Sequence, residues 1–237
     1  MRVRIVLFLC FALLTSFQAL SYGDVSMLTG RNHASIGQFG KMNVLAGQKY
    51  RDWNIEGGLG LVYSRTMQNS LEAMRFKLSR QVEVKDINFN TSLFYQWMPY
   101  SENFYVNQFG MLLQHQHKKW DYILGVNSMF IQLRKQNQTA NSFRKTLWEP
   151  FNVLYSLTYK QAIHKKVDVK ATITNFDYFL IYQETNPFIL LGGSYNINPK
   201  QIVFLDVAYQ EAGLLNIRVQ SFGYYIRLGF RYGITNK

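Results

Sequence analysis

The chain of 237 residues contains one cysteine and four prolines, and only 14 acidic residues against 26 basic ones. The single cysteine, Cys10, lies in an apolar run near the N-terminus. The rest of the chain therefore has no thiol for catalysis, for a thiolate metal site or for a disulfide framework. Without disulfides, its stability must come from backbone pairing and burial.

Long apolar runs are also missing, although 48% of the residues are hydrophobic and 16% are aromatic, with a mean hydropathy of −0.14. A membrane-spanning helix needs about 20 consecutive apolar residues. The apolar run near the N-terminus, residues 5–14, is too short, and none of 18 or more follows it. A helical membrane protein is therefore excluded. A β-barrel remains compatible, because only alternate residues of its strands face lipid.

The first residues are typical of a cleavable signal peptide. Arg2 and Arg4 precede the apolar run, and Ala19-Leu20-Ser21 allows cleavage before Tyr22, with cleavage before Asp24 as the alternative. We expect residues 1–21 to be a signal peptide, which lowers the net charge from +12 to +10 because two arginines are lost. An exported basic chain rarely meets nucleic acid. We therefore expect its basic residues to contact lipopolysaccharide, anionic solutes or acidic glycans, or to lie in loops.

Alternation of apolar and polar residues is the main structural signal. Between Tyr224 and Tyr232 every second residue is aromatic or aliphatic, and Tyr225, Arg227, Gly229 and Arg231 stand between them. A period of two places these sets on opposite faces of a strand. The pattern predicts a single antiparallel transmembrane β-barrel of about 10 strands, in the range 8–12. The predicted strands lie near 53–66, 70–84, 87–98, 103–116, 119–134, 144–163, 166–183, 187–197, 201–211 and 222–234.

Residues 51–237 form the predicted barrel domain, and 22–50 are poorly patterned. We expect that segment to be an N-terminal extension, a plug or an extra strand. Within 166–183 the apolar phase changes between Ile173 and Phe176, which suggests a β-bulge.

The cost of placing charge in lipid predicts which residues face inward. A charged side chain on the lipid face of a barrel costs about 2–4 kcal/mol at the bilayer midplane. The interior is then either a polar channel with a basic bias that selects anions, or a salt-bridge network that fills the barrel. The opposing acidic residues would be Glu56, Asp121, Asp168 and Asp206. The basic residues predicted to face the lumen are Arg75, Lys77, Lys160, Lys170, Arg227 and Arg231.

Aromatic residues recur near the ends of the predicted strands. Aromatic side chains of membrane barrels collect at the two membrane interfaces. The predicted girdle residues are Trp53, Trp97, Trp120, Tyr159, Tyr224 and Tyr232.

Residues with catalytic or metal-binding chemistry are few. His115 and His117 share one face of a strand, but a metal site normally needs three or four ligands, so polar interface residues are the favoured interpretation. His33 and Ser35 could suggest a hydrolase, but no third group can be assigned. Gly57-Gly58-Leu59-Gly60 lies within a strand and is not a phosphate loop. We therefore predict no catalytic residue, no metal and no cofactor.

The leader, the repeated alternation, the aromatic strand ends and the terminal strand resemble those of Gram-negative outer-membrane β-barrel proteins. The abundance of Tyr, Asn and Lys resembles the style of Bacteroidota members. The resemblance implies insertion by the barrel-assembly machinery, which reads a C-terminal strand that usually ends on an aromatic residue. Here Tyr232 is followed by five more residues, which departs from that pattern.

The predicted function is that of an outer-membrane structural protein, or of a small porin or transport-assembly component with a basic, polar lumen, and not an enzyme. Its expected partners are outer-membrane lipid and lipopolysaccharide, with no nucleic acid, and its oligomeric state stays open. The alternatives are a barrel enzyme that modifies lipid or lipopolysaccharide, and a soluble lipocalin-like barrel that binds a lipophilic ligand. A soluble barrel would turn its apolar face inward.

Overall fold

The computed structural model describes residues 21–32, 37–62, 71–99, 104–133, 146–177, 183–210 and 223–233. Within these ranges the chain forms a closed antiparallel barrel of twelve strands in which every strand pairs with its neighbours in sequence. None of the described residues belongs to a helix long and apolar enough to cross a membrane. The strands are β1 (Tyr22–Asn32), β2 (Gly37–Tyr50), β3 (Trp53–Val62), β4 (Leu71–Val84), β5 (Ile87–Met98), β6 (Phe104–His117), β7 (Trp120–Leu133), β8 (Thr146–His164), β9 (Val167–Phe176), β10 (Gln183–Asn198), β11 (Gln201–Gln210) and β12 (Gly223–Gly233).

The barrel closes between its first and last strands. β1 pairs with β12 along its whole length, from Tyr22 opposite Gly233 to Asn32 opposite Gly223. The other side of β1 pairs with β2. Among the twelve described strands, closure leaves no open sheet edge, which is the arrangement that strands in hydrocarbon require.

The predicted architecture is confirmed, with twelve strands where about ten were expected. The ten predicted strands correspond to β3–β12, and the two additional ones arise from 22–50. The barrel therefore begins at Tyr22 rather than at residue 51. Both strands had a weak pattern, because glycines, a threonine and polar residues interrupt their apolar positions. The register between β9 and β10 shifts at the phase change in the sequence. Thr174 and Phe176, two residues apart on β9, lie opposite Phe188 and Gln183, which are five residues apart on β10.

The two ends of the barrel differ. Five two-residue turns, at 51–52, 85–86, 118–119, 165–166 and 199–200, lie at the end that also holds Tyr22 and Gly233, and we call this the short-turn end. In one of these turns Lys85 and Asp86 have φ of 49° and 63°, the backbone of a type I′ hairpin. The connections at the opposite, long-loop end are longer, as 134–145 and 211–222 show, and lie largely outside the described residues.

The apolar face of the strands points outward. In β12, Ile226 and Leu228 are exposed, whereas only 4% of Arg227 between them is exposed. The same division holds in β3–β7 and β9–β12 for most of their length. It is opposite to that of a soluble lipocalin-like barrel, which has its apolar side chains inside.

Apolar side chains also fill part of the interior, mainly toward the long-loop end. Small inward positions make room for them: a Cβ added at Gly229 would lie 2.1 Å from Cζ of Phe204. The filling leaves open space along one side of the barrel. The three buried clusters are Leu45, Ala73, Met98 and Val106; Phe94, Leu112, Ile123, Leu154 and Phe176; and Phe188, Leu190 and Ala208.

Candidate functional site

A cavity of about 620 Å³ lies inside the barrel against β6–β12 and β1. It extends from the Lys118–Lys119 turn at the short-turn end to Asp177 and Tyr225 near the long-loop end. The lining therefore follows most of the length of the strands. Its charged residues are Lys118, Lys119, Lys160, Lys170, Arg227 and Arg231, and Asp24, Asp121, Asp168, Asp177 and Asp206.

Ion pairs join most of these charges. On neighbouring strands, Lys160 Nζ lies 2.9 Å from Oδ2 of Asp121. Arg231 lies opposite Asp24 in the β1–β12 register, and its Nη2 donates to Oδ2 of Asp24 at 2.9 Å. This pair bridges the first and last strands. Its two residues are 207 positions apart in sequence.

A third pair crosses an intervening strand. Lys170 on β9 and Asp206 on β11 both face Gly192 of β10. Their Nζ and Oδ1 atoms are 2.8 Å apart. A Cβ at Gly192 would lie 2.3 Å from that Oδ1 and 2.4 Å from Cε of Lys170. The glycine is what allows the pair to form over the strand.

The fourth pair holds the end of β9. Arg227, on β12, donates to Asp177, which directly follows β9. The guanidinium also lies 5.3 Å from the ring centroid of Tyr225. Because Arg227 is almost fully buried, this pair has little exposure to solvent.

A second charged cluster lies on β3 and β4, away from the cavity. Arg75 donates to Glu56, and Tyr22 donates its hydroxyl to Oε2 of Glu56 at 2.6 Å. Asn54 donates to the Tyr22 hydroxyl at 3.0 Å. Lys77, opposite Glu56 in the register, is buried beside them. This side of the interior is filled by hydrogen-bonded side chains.

The six basic residues predicted to face the lumen thus fall into two groups in the structure. Lys160, Lys170, Arg227 and Arg231 line the cavity, whereas Arg75 and Lys77 are buried outside it. All four acidic residues named from the sequence lie on inward positions: Asp121, Asp168 and Asp206 line the cavity, and Glu56 pairs with Arg75.

Sequence reasoning missed Asp24 and Asp177. Asp24 stands before the apolar pair Val25 and Met27 in a segment with few other alternating residues. Asp177 follows the phase change in β9. Asp24 could have been identified from a short alternation in β1. Asp24, Ser26 and Leu28 alternate with Val25 and Met27, which are exposed.

The aromatic residues lie at two levels. Trp53, Trp120, Tyr159 and Tyr232 are near the short-turn end, whereas Trp97 and Tyr224 are near the long-loop end. The rings of Trp120 and Tyr159 are 5.0 Å apart, and the guanidinium of Arg80 lies 5.4 Å from the centroid of Trp53. The prediction omitted the exposed Trp148, whose ring stacks on Phe130 at 5.9 Å.

The histidines offer no catalytic arrangement in the part of the chain that the structure describes. His115 Nδ1 lies 3.0 Å from the carbonyl oxygen of Asn88, and the rings of His115 and His117 stack at 6.2 Å. Neither residue, nor His164, bonds to a serine or a carboxylate there. No group of three or more potential metal ligands occurs among the described residues. His33 and Ser35 lie outside them.

No protein-family model and no curated protein matches the chain. Its structure is similar to the NanC porin, with a TM-score of 0.54, 11% identity, and coverage of 88% of this chain and 98% of that chain. It is also similar to the KdgM porin, with a TM-score of 0.51, 8% identity, and coverage of 89% and 98%. The KdgM porin in complex with disordered oligogalacturonate gives 0.50 at 9% identity, with the same coverage. At such identities the likeness shows the fold alone, which is that of an outer-membrane barrel of porin type.

Proposed function

We propose that the protein is a narrow porin-like channel of the outer membrane, acting alone or within a transport assembly, and not an enzyme. The observation that supports this most directly is the cavity of about 620 Å³. Its lining extends from the Lys118–Lys119 turn to Asp177 and Tyr225. A cavity of this length, with charged residues along it and a packed apolar filling beside it, suits slow movement of small hydrophilic solutes.

Membrane insertion is supported by the outer face. Exposed apolar side chains cover the middle of the strands, and aromatic residues lie at both levels where girdles are expected. We therefore propose cleavage of residues 1–21, insertion by the barrel-assembly machinery, and contact with outer-membrane lipid and lipopolysaccharide. Nucleic acid is not a proposed partner, and the resemblance to Bacteroidota members stays a prediction.

The charge of the lining suggests weak selectivity. The cavity is lined by six basic and five acidic side chains, a net of +1. Lys160, Lys170, Arg227 and Arg231 each pair with a carboxylate. The KdgM porin has been captured with a polyanion, oligogalacturonate. Since most basic groups here are neutralised by partners, we propose small polar solutes with a slight preference for anions, rather than polyanions, as the cargo.

Conductance across planar bilayers tests this proposal. We expect the wild-type protein to give a small conductance with weak anion selectivity. Lys160→Glu changes the net charge of the described lining from +1 to −1 and should reverse the sign of the zero-current potential in a salt gradient. Lys85→Glu makes the same charge change in a turn outside the cavity lining and should leave that sign unchanged.

Two results would contradict the proposal. A correctly inserted wild-type barrel that conducts no ions would be a structural protein. A protein found wholly in the soluble periplasmic fraction, without heat-modifiable migration on gels, would not be a membrane barrel.

A further inference from the structure

The outer wall carries an apolar groove of about 410 Å³ across β8–β11. Its sides are formed by Tyr159, Leu191 and Val207, and its floor by Ala171 and Gly193. Leu191, with 60% of its surface exposed, is one of the most exposed apolar residues of the barrel. The groove thus lies in the outward apolar face that the proposed membrane insertion puts in contact with lipid.

The groove exists because β10 lacks side chains at this level. Gly192 and Gly193 are consecutive, so neither face of the strand carries a side chain there. On the inner face, the Lys170–Asp206 pair fills the space beside Gly192. On the outer face, a Cβ added at Gly193 would meet only the carbonyl oxygen of Asp168, at 3.8 Å. The outward position is therefore open.

The volume suits a flexible hydrocarbon chain. A dry apolar cavity of about 150 Å³ already holds benzene, and the groove is larger, at about 410 Å³. Its lining is largely apolar, apart from Lys170 and the backbone at Gly192. A methylene chain seated in the groove would contact its apolar walls more closely than the surrounding lipid does, and would gain dispersion energy from those contacts.

Polar groups follow the groove toward the short-turn end. Tyr159 donates its hydroxyl to Oε1 of Gln161 at 3.2 Å, and Lys119 Nζ donates to the same oxygen at 2.5 Å. The exposed turn Lys165–Lys166 joins β8 and β9, the strands on this side of the groove. The outward residues of β8 between the groove and these lysines, Gln161 and Ile163, are not acidic. Clustered lysines at a membrane interface attract anionic lipid head groups.

The position of the lysines indicates which lipid they would meet. Short turns of outer-membrane barrels lie on the periplasmic side, where the leaflet contains phospholipid and lipopolysaccharide is on the opposite side. We propose that the groove holds an acyl chain of one anionic phospholipid whose phosphate lies against Lys165 and Lys166. The inference rests on the membrane insertion proposed above.

Native mass spectrometry of barrels refolded with phosphatidylglycerol and transferred to detergent tests the site. Wild type should retain one phosphatidylglycerol. Gly193→Leu fills the groove, and should bind at least about tenfold more weakly because roughly two methylene contacts are lost. The matched control is Gly57→Leu, also outward and exposed, with no atom within 4 Å of an added Cβ. It should bind as wild type does.

The head-group contact has its own pair of variants. Lys165→Gln with Lys166→Gln should weaken phosphatidylglycerol retention severalfold and leave phosphatidylcholine retention unchanged. Arg51→Gln with Lys85→Gln removes the same charge from two other turns of the short-turn end and should have no effect. Phosphatidylcholine retained as strongly as phosphatidylglycerol by wild type would refute the anionic head group.

Two further outcomes would overturn the acyl-chain site. One is equal lipid retention by Gly193→Leu and wild type. The other is an oligomer of wild type that Gly193→Leu dissociates, which would make the groove a contact between copies. Heat-modifiable migration is recorded for every sample, so that failure of wild type to insert counts against the proposed function and not against the groove.

Discussion

Replacing Leu228 with arginine tests whether the outer face lies in lipid. Leu228 is the middle residue of β12, which spans Gly223–Gly233. Its side chain is 55% exposed, and its register partners Met27 and Leu205 are exposed and apolar. An arginine on the lipid face at the midplane costs about 2–4 kcal/mol. This corresponds to a roughly 30- to 1,000-fold loss in the ratio of folded to unfolded protein. On a water-exposed surface the same substitution changes stability by about 0.5 kcal/mol or less.

The assay is urea unfolding in phospholipid vesicles, followed by tryptophan fluorescence and heat-modifiable migration. Ile163→Arg is the matched control, because Ile163 is 67% exposed and stands next to the end of β8 at His164. Near the interface a lipid-facing arginine costs only about 0–1 kcal/mol. A loss below about 1 kcal/mol for Leu228→Arg, or equal losses for the two variants, would refute the assignment of the outer face to lipid.

Two other substitutions probe the interior with the same unfolding assay. Arg227→Met removes the buried partner of Asp177 and should lower the free energy of unfolding by about 3–5 kcal/mol. The double variant Arg227→Met with Asp177→Leu should recover most of that loss. Equal losses in the single and double variants would contradict the ion-pair argument. Gly229→Ala places a Cβ 2.1 Å from a ring atom of Phe204 and should cost about 1–3 kcal/mol by overpacking. Gly57→Ala, with no atom within 4 Å of the added Cβ, should cost nothing measurable, so similar effects of the two alanines would show that the interior is not packed as described.

The strands that could be predicted are those with an uninterrupted period of two. In β12 the apolar set and the arginine set are cleanly separated, and the structure turns them to opposite faces. In β1 the same alternation exists, but Thr29 stands at an outward position and Gly30 at an inward one. A glycine or threonine carries too little hydrophobic contrast to show which face it occupies. Two strands of the barrel were therefore hidden in 22–50.

The inward direction of the basic residues also follows from local pattern, but their partners do not. Asp24 meets Arg231 only because the barrel closes, and the two are 207 positions apart. Lys170 reaches Asp206 only because Gly192 lies between them in the sheet. Strand order and register decide such contacts, and neither is encoded by the spacing of residues along one strand.

By itself, the sequence determined the class of the protein: a membrane-type barrel with an apolar outer face and charged residues on its inner face. These are properties of residues two positions apart, which the pleat of one strand already separates. Only the tertiary structure decided that twelve strands close the barrel. It also decided that the charges of the cavity lining nearly balance, and that consecutive glycines open a groove at Gly193. Those features depend on which strands become neighbours and in which register, because the side chains that line the cavity and the groove come from strands far apart in the chain.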